Sequence, residues 1–462
     1  MKDEVVRDWL DKLKHISYDM EDVLDEWKTA MIKLQMRRVE NALLISKKKM
    51  HDIVHDLAQF VNRNECVSIE ISDPKSSLIS ISFQNARHLT LEFNYSHSLS
   101  DFILSAQKLH SLLIDDWSET CPPVLGKVFD SLAYLRALRI FGNDGFLEIP
   151  KGIKNLIYLR YFSLFRLRIK ELPEACCDLY DLQTLAISFR FGLIKLPEKV
   201  HKLVSLRRLL LGSSRLDYMP KGIEKLTGLR SLNRFIVSSD GQYGGKGCNI
   251  GSLKHLNHLR GSLMIQGLGN VTDVEEARKV ELEKKKNLSD LHLTFDKNEE
   301  STWESEIEVD NEAIIEALRL TPNLEKLQID GYRGNVLPNW LSSLTNIKDL
   351  SLVRFYNGKN VPFLGKLQSL ESILIDRMKS VKRVSYEFFG IKSDPVASSS
   401  LSSPVIAFPK LKYLEFSSMD EWEEWDFGIT SSGKEDIIIM PHLNHLKIYQ
   451  CPKLKALPDR LF

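Results

Sequence analysis

The fold is decided between Leu132 and Arg234, where LAYLRALRI (132–140), LIYLRYFSL (156–164), LYDLQTLAI (179–187), LVSLRRLLL (203–211) and LTGLRSLNR (226–234) follow one another. Their first leucines are spaced by 24, 23, 24 and 23 residues. An apolar–Pro pair follows each of the first four strand-like cores in turn: Ile149-Pro150, Leu172-Pro173, Leu196-Pro197 and Met219-Pro220. A fixed period in this range marks a repeat architecture, with one supersecondary unit per repeat. A single coil of this size cannot bury its own leucines, so neighbouring coils must stack and share them.

Period and leucine spacing together are those of leucine-rich repeats. The expected fold is an α/β leucine-rich-repeat solenoid, a curved horseshoe with a parallel inner sheet, preceded by an N-terminal α-helical segment. Because a solenoid grows by adding coils, the 462 residues need not divide into several globular cores. Past the regular coils, strand cores persist at looser spacing in LRGSLMIQGL, LSDLHLTFD, LEKLQIDGY, IKDLSLVRF, LESILIDRM, LKYLEFSSM and LNHLKIYQC. Three insertions interrupt them: SSDGQYGGKG from Ser238, DKNEESTWESEIEVDNE from Asp296 and SDPVASSSLSSP from Ser393. Their composition predicts polar loops that project from the solenoid instead of packing into it. Repeats are expected over 86–462, and the lack of a polar cap after the last coil predicts an incomplete array.

Composition narrows the function. A net charge of +1 with 27% charged residues gives no general preference for nucleic acid or anionic membranes. The six cysteines (Cys66, Cys121, Cys176, Cys177, Cys248 and Cys451) form no CxxC or Cys/His ligand spacing. They read as reduced thiols of a cytoplasmic protein with no metal and no cofactor. MKDEVVRDWL lacks the apolar run of a signal peptide, and no apolar stretch reaches the roughly 18 residues of a membrane span.

Ahead of the repeats, Val6, Trp9, Leu13, Ile16, Met20, Val23, Leu24, Trp27 and Met31 recur at spacings of three and four, one apolar helical stripe. Glu21, Asp22, Asp25 and Glu26 form an acidic ridge beside it. MHDIVHDLAQFVN (50–62) predicts a second amphipathic helix, and CVSIEIS (66–72) alternates as a strand does.

Four stretches resemble the plant coiled-coil NLR disease-resistance proteins: YDMEDVLDEW (18–27), MHDIVHDLAQ (50–59), the segment IGSLKHLNHLRGSLMIQGLGNVTDVEEARKVELEKKKNL from Ile250, and VPFLGKLQSLESILIDRMKSVKRVSYEFFG from Val361. The resemblance implies an intracellular immune receptor, with 1–48 a remnant of the coiled-coil domain and 49–85 the end of the nucleotide-binding region. In that family some hundreds of residues separate the acidic motif from Met-His-Asp; here about twenty do. The phosphate-cradling GxxxxGK(S/T) is absent, and GQYGGKGCN lacks both its glycine spacing and its hydroxyl residue. His51 and Asp52 are therefore read as vestigial, and no nucleotide site is expected. LLIDDW (112–117) mimics a magnesium-binding motif but falls on a repeat strand, which favours two surface carboxylates.

No catalytic constellation emerges, and the pairs His255/His258 and His442/His445 lack further ligands. One column stands out. The residue after the second leucine is Arg136, Arg160, Arg207 and Arg230, with Gln183 in between. Stacked at about 4.8 Å, these guanidinium groups repel one another unless anions sit opposite. The ridge of Glu21, Asp22, Asp25 and Glu26 is their expected intramolecular partner, which the family resemblance also implies. Arg139, Ser163, Ala186, Leu210, Gln328, Ser351, Glu415 and Lys447 alternate with buried residues and are expected to line the open sheet face. Their mixed chemistry suits a protein ligand: a pathogen effector, a guarded host protein or another NLR. Trp422-Trp425-Phe427 and Tyr386-Phe388-Phe389 are either anchors for such a partner or plugs between coils. Two alternatives stay open, a nucleotide-binding signalling switch and a leucine-rich-repeat adaptor of a ubiquitin ligase.

Overall fold

The computed structural model describes residues 65–71, 85–93, 106–116, 125–142, 148–188, 193–212, 216–239, 241–296, 310–358, 361, 363–390, 405–426 and 437–458. The chain divides into two compact units, Met1–Arg63 and Asn64–Phe462, and the description concerns the second. The N-terminal helices, the acidic ridge and His51 and Asp52 lie outside the described residues, as do the Ser-rich insertion and Phe427.

Asn64–Phe462 is a leucine-rich-repeat solenoid built on two eight-stranded sheets in chain order, all of whose pairings are parallel. The first sheet runs from strand Cys66–Ile71 to Ser231–Leu232, the second from Arg234–Ile236 to His445–Tyr449. Register follows from the leucines. Leu89, Leu112, Leu138, Phe162, Leu185, Leu209 and Leu232 are consecutive partners, as are Leu91, Ile114, Ile140, Leu164, Ile187 and Leu211. All are buried, so each rung stacks on the one before it. A slip of one residue would turn every leucine of a strand outward, so the pattern admits one register.

The sheet begins earlier than expected. Cys66–Ile71 pairs along its whole length with His88–Phe93, so the boundary at 86 falls inside the sheet. The β-branched alternation of CVSIEIS is already that of a rung, although its leucines are missing. LLIDD lies on strand Ser111–Asp116, as the leucine spacing requires.

The apolar–Pro pairs explain the return path. Ile149, Leu172, Leu196 and Met219 are buried. Pro150 and Pro173 directly precede the short 3-10 turns Lys151–Asn155 and Glu174–Asp178, and Pro338 precedes Asn339–Ser343. A helical start leaves its first N–H groups without partners, so proline loses nothing there. Its carbonyl still accepts: Ile153 N donates to Pro150 O at 3.1 Å and Cys176 N to Pro173 O at 2.9 Å. Acidic side chains then tie one coil to the next. Glu174 accepts from the Glu198 and Lys199 amides at 2.7 and 3.3 Å, and Glu316 accepts from the Asn339 amide at 2.8 Å.

Many strands end in a left-handed residue whose amide closes the ladder. Arg166, Gly267, Gly331, Arg354, Arg377 and Ser418 all have positive φ. Their amides donate to Ser188, Thr294, Val353, Asp376, Ser417 and Tyr449 of the following strand. The two sheets meet at Asn233, between strands Ser231–Leu232 and Arg234–Ile236. Its side chain accepts from Leu211 N at 2.7 Å and donates to Leu211 O at 2.9 Å, replacing the ladder bonds lost at the break.

The Gly-rich insertion departs from expectation by packing. Tyr243 stacks on Tyr218 with ring centroids 4.8 Å apart, Gly247 bridges to Pro220, and Cys248 N donates to Met219 O at 2.8 Å. Gly244 and Gly245 have φ of 63° and 72°, a turn that side chains resist. Its glycines fold the loop back onto the coil before it.

One core residue is out of keeping. Lys285 is fully buried, and its ammonium donates to Asn257 Oδ1 at 3.1 Å. Burial lowers its pKa to about 8, against a smaller opposing pull from Glu281. Between about pH 8 and 10.5 folding therefore releases a proton: the cost of burying the charge is full below pH 8 and fades as pH rises toward the ordinary lysine value of 10.5. Lys285→Met should stabilise the solenoid by about 1–2 kcal/mol at pH 7. Thermal denaturation should show the gap between variant and wild type narrowing toward pH 10, because the wild-type lysine is then buried neutral.

Candidate protein-interaction face

Two columns form the open sheet face. Arg139, Ser163, Ala186 and Leu210 are register partners in the first sheet, and Gln328, Ser351, Leu374, Glu415 and Lys447 in the second. The structure thus brings the expected candidates together, four in each sheet, and adds Leu113, Met264, His292 and Leu374 to the columns. Sequence alternation could have found these four, because each lies between two core residues of its strand.

Two candidates are not available as contact surface. Arg139 is 8% exposed and Ser163 4%. Ser163 has Tyr161 and Phe165 on its own face of the strand, two residues either way, and a short hydroxyl is overshadowed between them. Arg139 lies 3.9 Å from Asp115, whose carboxyl is raised by burial against the pull of that guanidinium. Phe141 and Phe165 stack beside them at 5.2 Å, with the Arg166 guanidinium 5.6 Å from the Phe141 ring centre. Ala186, Leu210, Gln328, Ser351 and Glu415 are half-buried and Lys447 is exposed. Lys447 Nζ donates to Glu415 Oε1 at 2.7 Å, and Tyr413 donates to Oε2 at 2.6 Å. Burial would raise the Glu415 carboxyl, but these two donors outweigh it and hold it low.

The arginine column is a continuous backbone ladder. The amides of His110, Arg136, Arg160, Gln183, Arg207, Arg230 and Arg260 each donate to the carbonyl of the column residue one coil earlier, beginning at Arg87. Arg136 and Arg160 are exposed; Arg207 and Arg230 are half-buried. His110 senses the column: its pKa is lowered first by burial, then by Arg136, Arg87 and His88. In the second sheet the same position reads Glu325, Lys348, Glu371, Lys412, and here charges are paired. Lys348 reaches Glu325 at 3.0 Å and Lys412 reaches Glu371 at 2.7 Å. The second sheet alternates the sign of its column; the first is mostly arginine, headed by Glu65, which pairs with Arg87 at 3.4 Å.

A buried polar network escaped sequence reading. Arg354 bridges two carboxylates, with Nε 2.7 Å from Asp330 Oδ1 and Nη1 3.3 Å from Asp296 Oδ2. Arg333 stands 3.8 Å from Asp296, Tyr356 donates to Asp296 at 3.3 Å, and His292 is 3.9 Å from Asp330. Burial raises the Asp296 carboxyl despite Arg354 and Arg333. At Asp330 burial acts the same way, but His292 and Arg354 outweigh it and lower the pKa. Asp296, expected to open a projecting acidic loop, is instead held inside. Its partners come from coils 37 and 58 residues away (333 − 296 and 354 − 296), so no local pattern announced them.

The aromatic clusters resolve as plugs: Trp422, Trp425, Phe388 and Phe389 are all buried. Phe388 meets Phe408 at 5.1 Å and Phe416 meets Trp422 at 4.8 Å, filling the space between coils. Among the described residues no group of three or more His, Cys, Asp or Glu could hold a metal ion. No helix among them is long and apolar enough to cross a membrane.

Comparison with known proteins places these elements. The Rx N-terminal domain family matches residues 1–63, and the R13L1/DRL21 LRRs match residues 250–378. The putative disease resistance protein At3g14460 of Arabidopsis thaliana is 30% identical over 421 residues, covering 89% of this chain and 28% of that protein. Disease resistance protein RGA2 of Solanum bulbocastanum is 30% identical over 445 residues, covering 94% of this chain and 40% of that protein. The putative disease resistance RPP13-like protein 1 of Arabidopsis thaliana is 28% identical, covering 90% and 39%. The chain thus spans 28–40% of the length of these relatives. A solved leucine-rich-repeat protein of Leptospira interrogans aligns with a TM-score of 0.49 and 18% identity over 84% of this chain and 95% of that one.

Removing the guanidinium of Arg354 leaves two buried carboxylates with too few partners, a loss of about 3 kcal/mol. Arg354 also sits at φ 53°. Arg354→Ala should therefore destabilise by about 3–4 kcal/mol, and Arg354→Gly by about 1 kcal/mol less, since glycine accepts that backbone freely. Urea denaturation of both variants measures the two contributions separately; equal losses would remove the backbone component.

Proposed function

We propose a recognition role from the premise that this chain belongs with the plant disease-resistance proteins of the coiled-coil NLR type, joining an Rx N-terminal domain match to R13L1/DRL21 leucine-rich repeats. It is a plant immune recognition protein, acting in the cytoplasm by binding another protein and catalysing no reaction. Its ligand is a pathogen effector, a guarded host protein or another NLR. The mechanism proposed uses no nucleotide-driven switch, a reading supported by the short interval between the end of the Rx match at residue 63 and the strand that opens at Cys66.

The observation that carries this reading is the open face. Ala186, Leu210, Gln328, Ser351, Glu415 and Lys447 place small, apolar, amide, acidic and basic groups on rigid strands about 4.8 Å apart. A surface of changing chemistry read over many rungs suits an extended protein epitope, whereas a small molecule needs an enclosed pocket. The arginine column adds a second element: an anion-attracting edge, which Glu21, Asp22, Asp25 and Glu26 of this chain complement in charge.

Affinity capture from inoculated and mock-treated leaf tissue tests the reading, using the full chain and an Ala186→Arg/Ser351→Arg variant of equal stability. The wild type should retain a protein, from one tissue or from both, that the variant loses. Identical capture by both would contradict binding through this face; a captured protein common to both tissues points to a host protein, and one confined to the inoculated sample to an effector.

A further inference from the structure

The first sheet carries a second surface, beside its open face. Tyr134, Ile157, Tyr158, Tyr180 and Val204 are between 45% and 68% exposed. They occupy the two positions between paired leucines in four consecutive coils. The Tyr134 and Tyr158 rings stack, with centroids 6.0 Å and planes 10° apart. The leucine repeat does not demand apolar residues there: the matching positions of the second sheet hold Thr345-Asn346, Gln368-Ser369 and Pro409-Lys410. Polar or small pairs also bound the ridge, Gln107-Lys108 before it and Thr227-Gly228 after it. With about half of each side chain open, the five offer roughly 500 Å² of apolar surface, near the upper end of what monomers leave uncovered.

We infer that this ridge is an interface between two copies of this chain, laid ridge on ridge in opposite directions about a twofold axis between the coils of Tyr158 and Tyr180. The inference goes beyond the recognition role above and does not depend on it, since no other protein takes part. Self-complementarity carries it. A twofold axis sets the first of the four coils on the fourth of the second copy, and the second on the third. Tyr134 then meets Val204 of the second copy, while Ile157 and Tyr158 meet Tyr180. Every exposed apolar residue finds another, and the polar Gln107-Lys108 pair falls outside, against Thr227-Gly228.

Charge follows the same symmetry. On the return side, just before their leucines, the four coils present Asp130, Lys154, Asp178 and Lys202 in that order. Reversing one copy sets Asp130 against Lys202 and Lys154 against Asp178. Alternation over an even number of coils is matched throughout by a twofold axis, whereas an odd number would set like on like. Asp178 and Lys202 already lie 3.9 Å apart within one chain, so each joins a larger network on association. On the strand side Arg136 and Arg160 would meet Arg207 and Gln183, so the contact leans toward the return side and leaves the arginines outside it. With this rim each copy buries somewhat less than the roughly 800 Å² of a standard interface, which suits a reversible dimer. Asp130 and Asp181 stand exposed along the ridge, which disfavours an anionic membrane.

Sedimentation velocity on the full chain, from about 1 to about 200 μM, tests this. The sedimentation coefficient should rise with concentration toward that of a dimer. Tyr158→Ser/Tyr180→Ser should raise the dissociation constant at least about tenfold. Asp130→Lys/Lys154→Glu leaves the net charge unchanged and should weaken association by a similar factor; adding Asp178→Lys/Lys202→Glu should restore it. Should the tyrosine variant lose its native circular dichroism, Val204→Asp alone takes its place with a loss in the same direction. Ala186→Arg/Ser351→Arg should leave the dimer unchanged, so the open face and the ridge can fail independently. A single monomeric species at every concentration, a dimer indifferent to the ridge substitutions, or a fourfold reversal that restores nothing overturns the inference. A chain that stays monomeric alone yet holds phosphatidylserine vesicles or a different protein through these tyrosines also overturns it, and assigns the ridge to that occupant.

Discussion

No coil of this chain can bury its leucines alone, and that constraint organises everything else. Burying one leucine is worth about 2 kcal/mol, whereas ordering 23 or 24 residues costs far more. Only stacking, in which each leucine is covered by the coil before and the coil after, recovers enough. The register partners Leu112, Leu138, Phe162, Leu185 and Leu209 are that stacking in its simplest form. Every strand is thereby parallel to the next, and the return segment must start with a turn that wastes no amide. Pro150, Pro173 and Pro338 answer that demand, and Glu174 and Glu316 carry it from one coil to another.

Once the core is fixed, the remaining positions are free to differ, and the two sheets use that freedom in opposite ways. The second sheet alternates Glu325, Lys348, Glu371 and Lys412 and pairs them along the rungs. It also encloses Asp296 and Asp330 around Arg354. The first sheet repeats arginine and sets exposed tyrosines beside it. At the head of that column Arg87 pairs with Glu65 at 3.4 Å. The first sheet thus presents charge and aromatic surface, the second mixed polarity.

How much of this was legible follows from how local each feature is. The solenoid, its register and the arginine column recur at a fixed period, so one sequence suffices to see them. Cys66–Ile71 hid as a rung because it carries β-branched residues where later coils carry leucine. The Arg354 network was invisible because Asp296 joins it from 58 residues away, and the Asn233 amide because its bonds to Leu211 occur once, at the break between the sheets. The Gly-rich insertion misled because loop composition reports polarity but not the Tyr218–Tyr243 stack that holds it down. Arg139 and Ser163 were misjudged for a related reason: alternation tells which face a side chain takes, not whether its neighbours cover it.

Stacking by period can be tested by cutting with and against that period. Deleting residues 179–202 removes 24 residues, one full coil, and joins Asp178 to Leu203 in phase. Deleting residues 179–190 removes 12 and shifts every later coil by half a period. Urea unfolding followed by circular dichroism should show a single cooperative transition for the in-phase deletion, at somewhat lower stability, and none for the other. Equal behaviour of the two deletions would contradict a core shared between stacked coils.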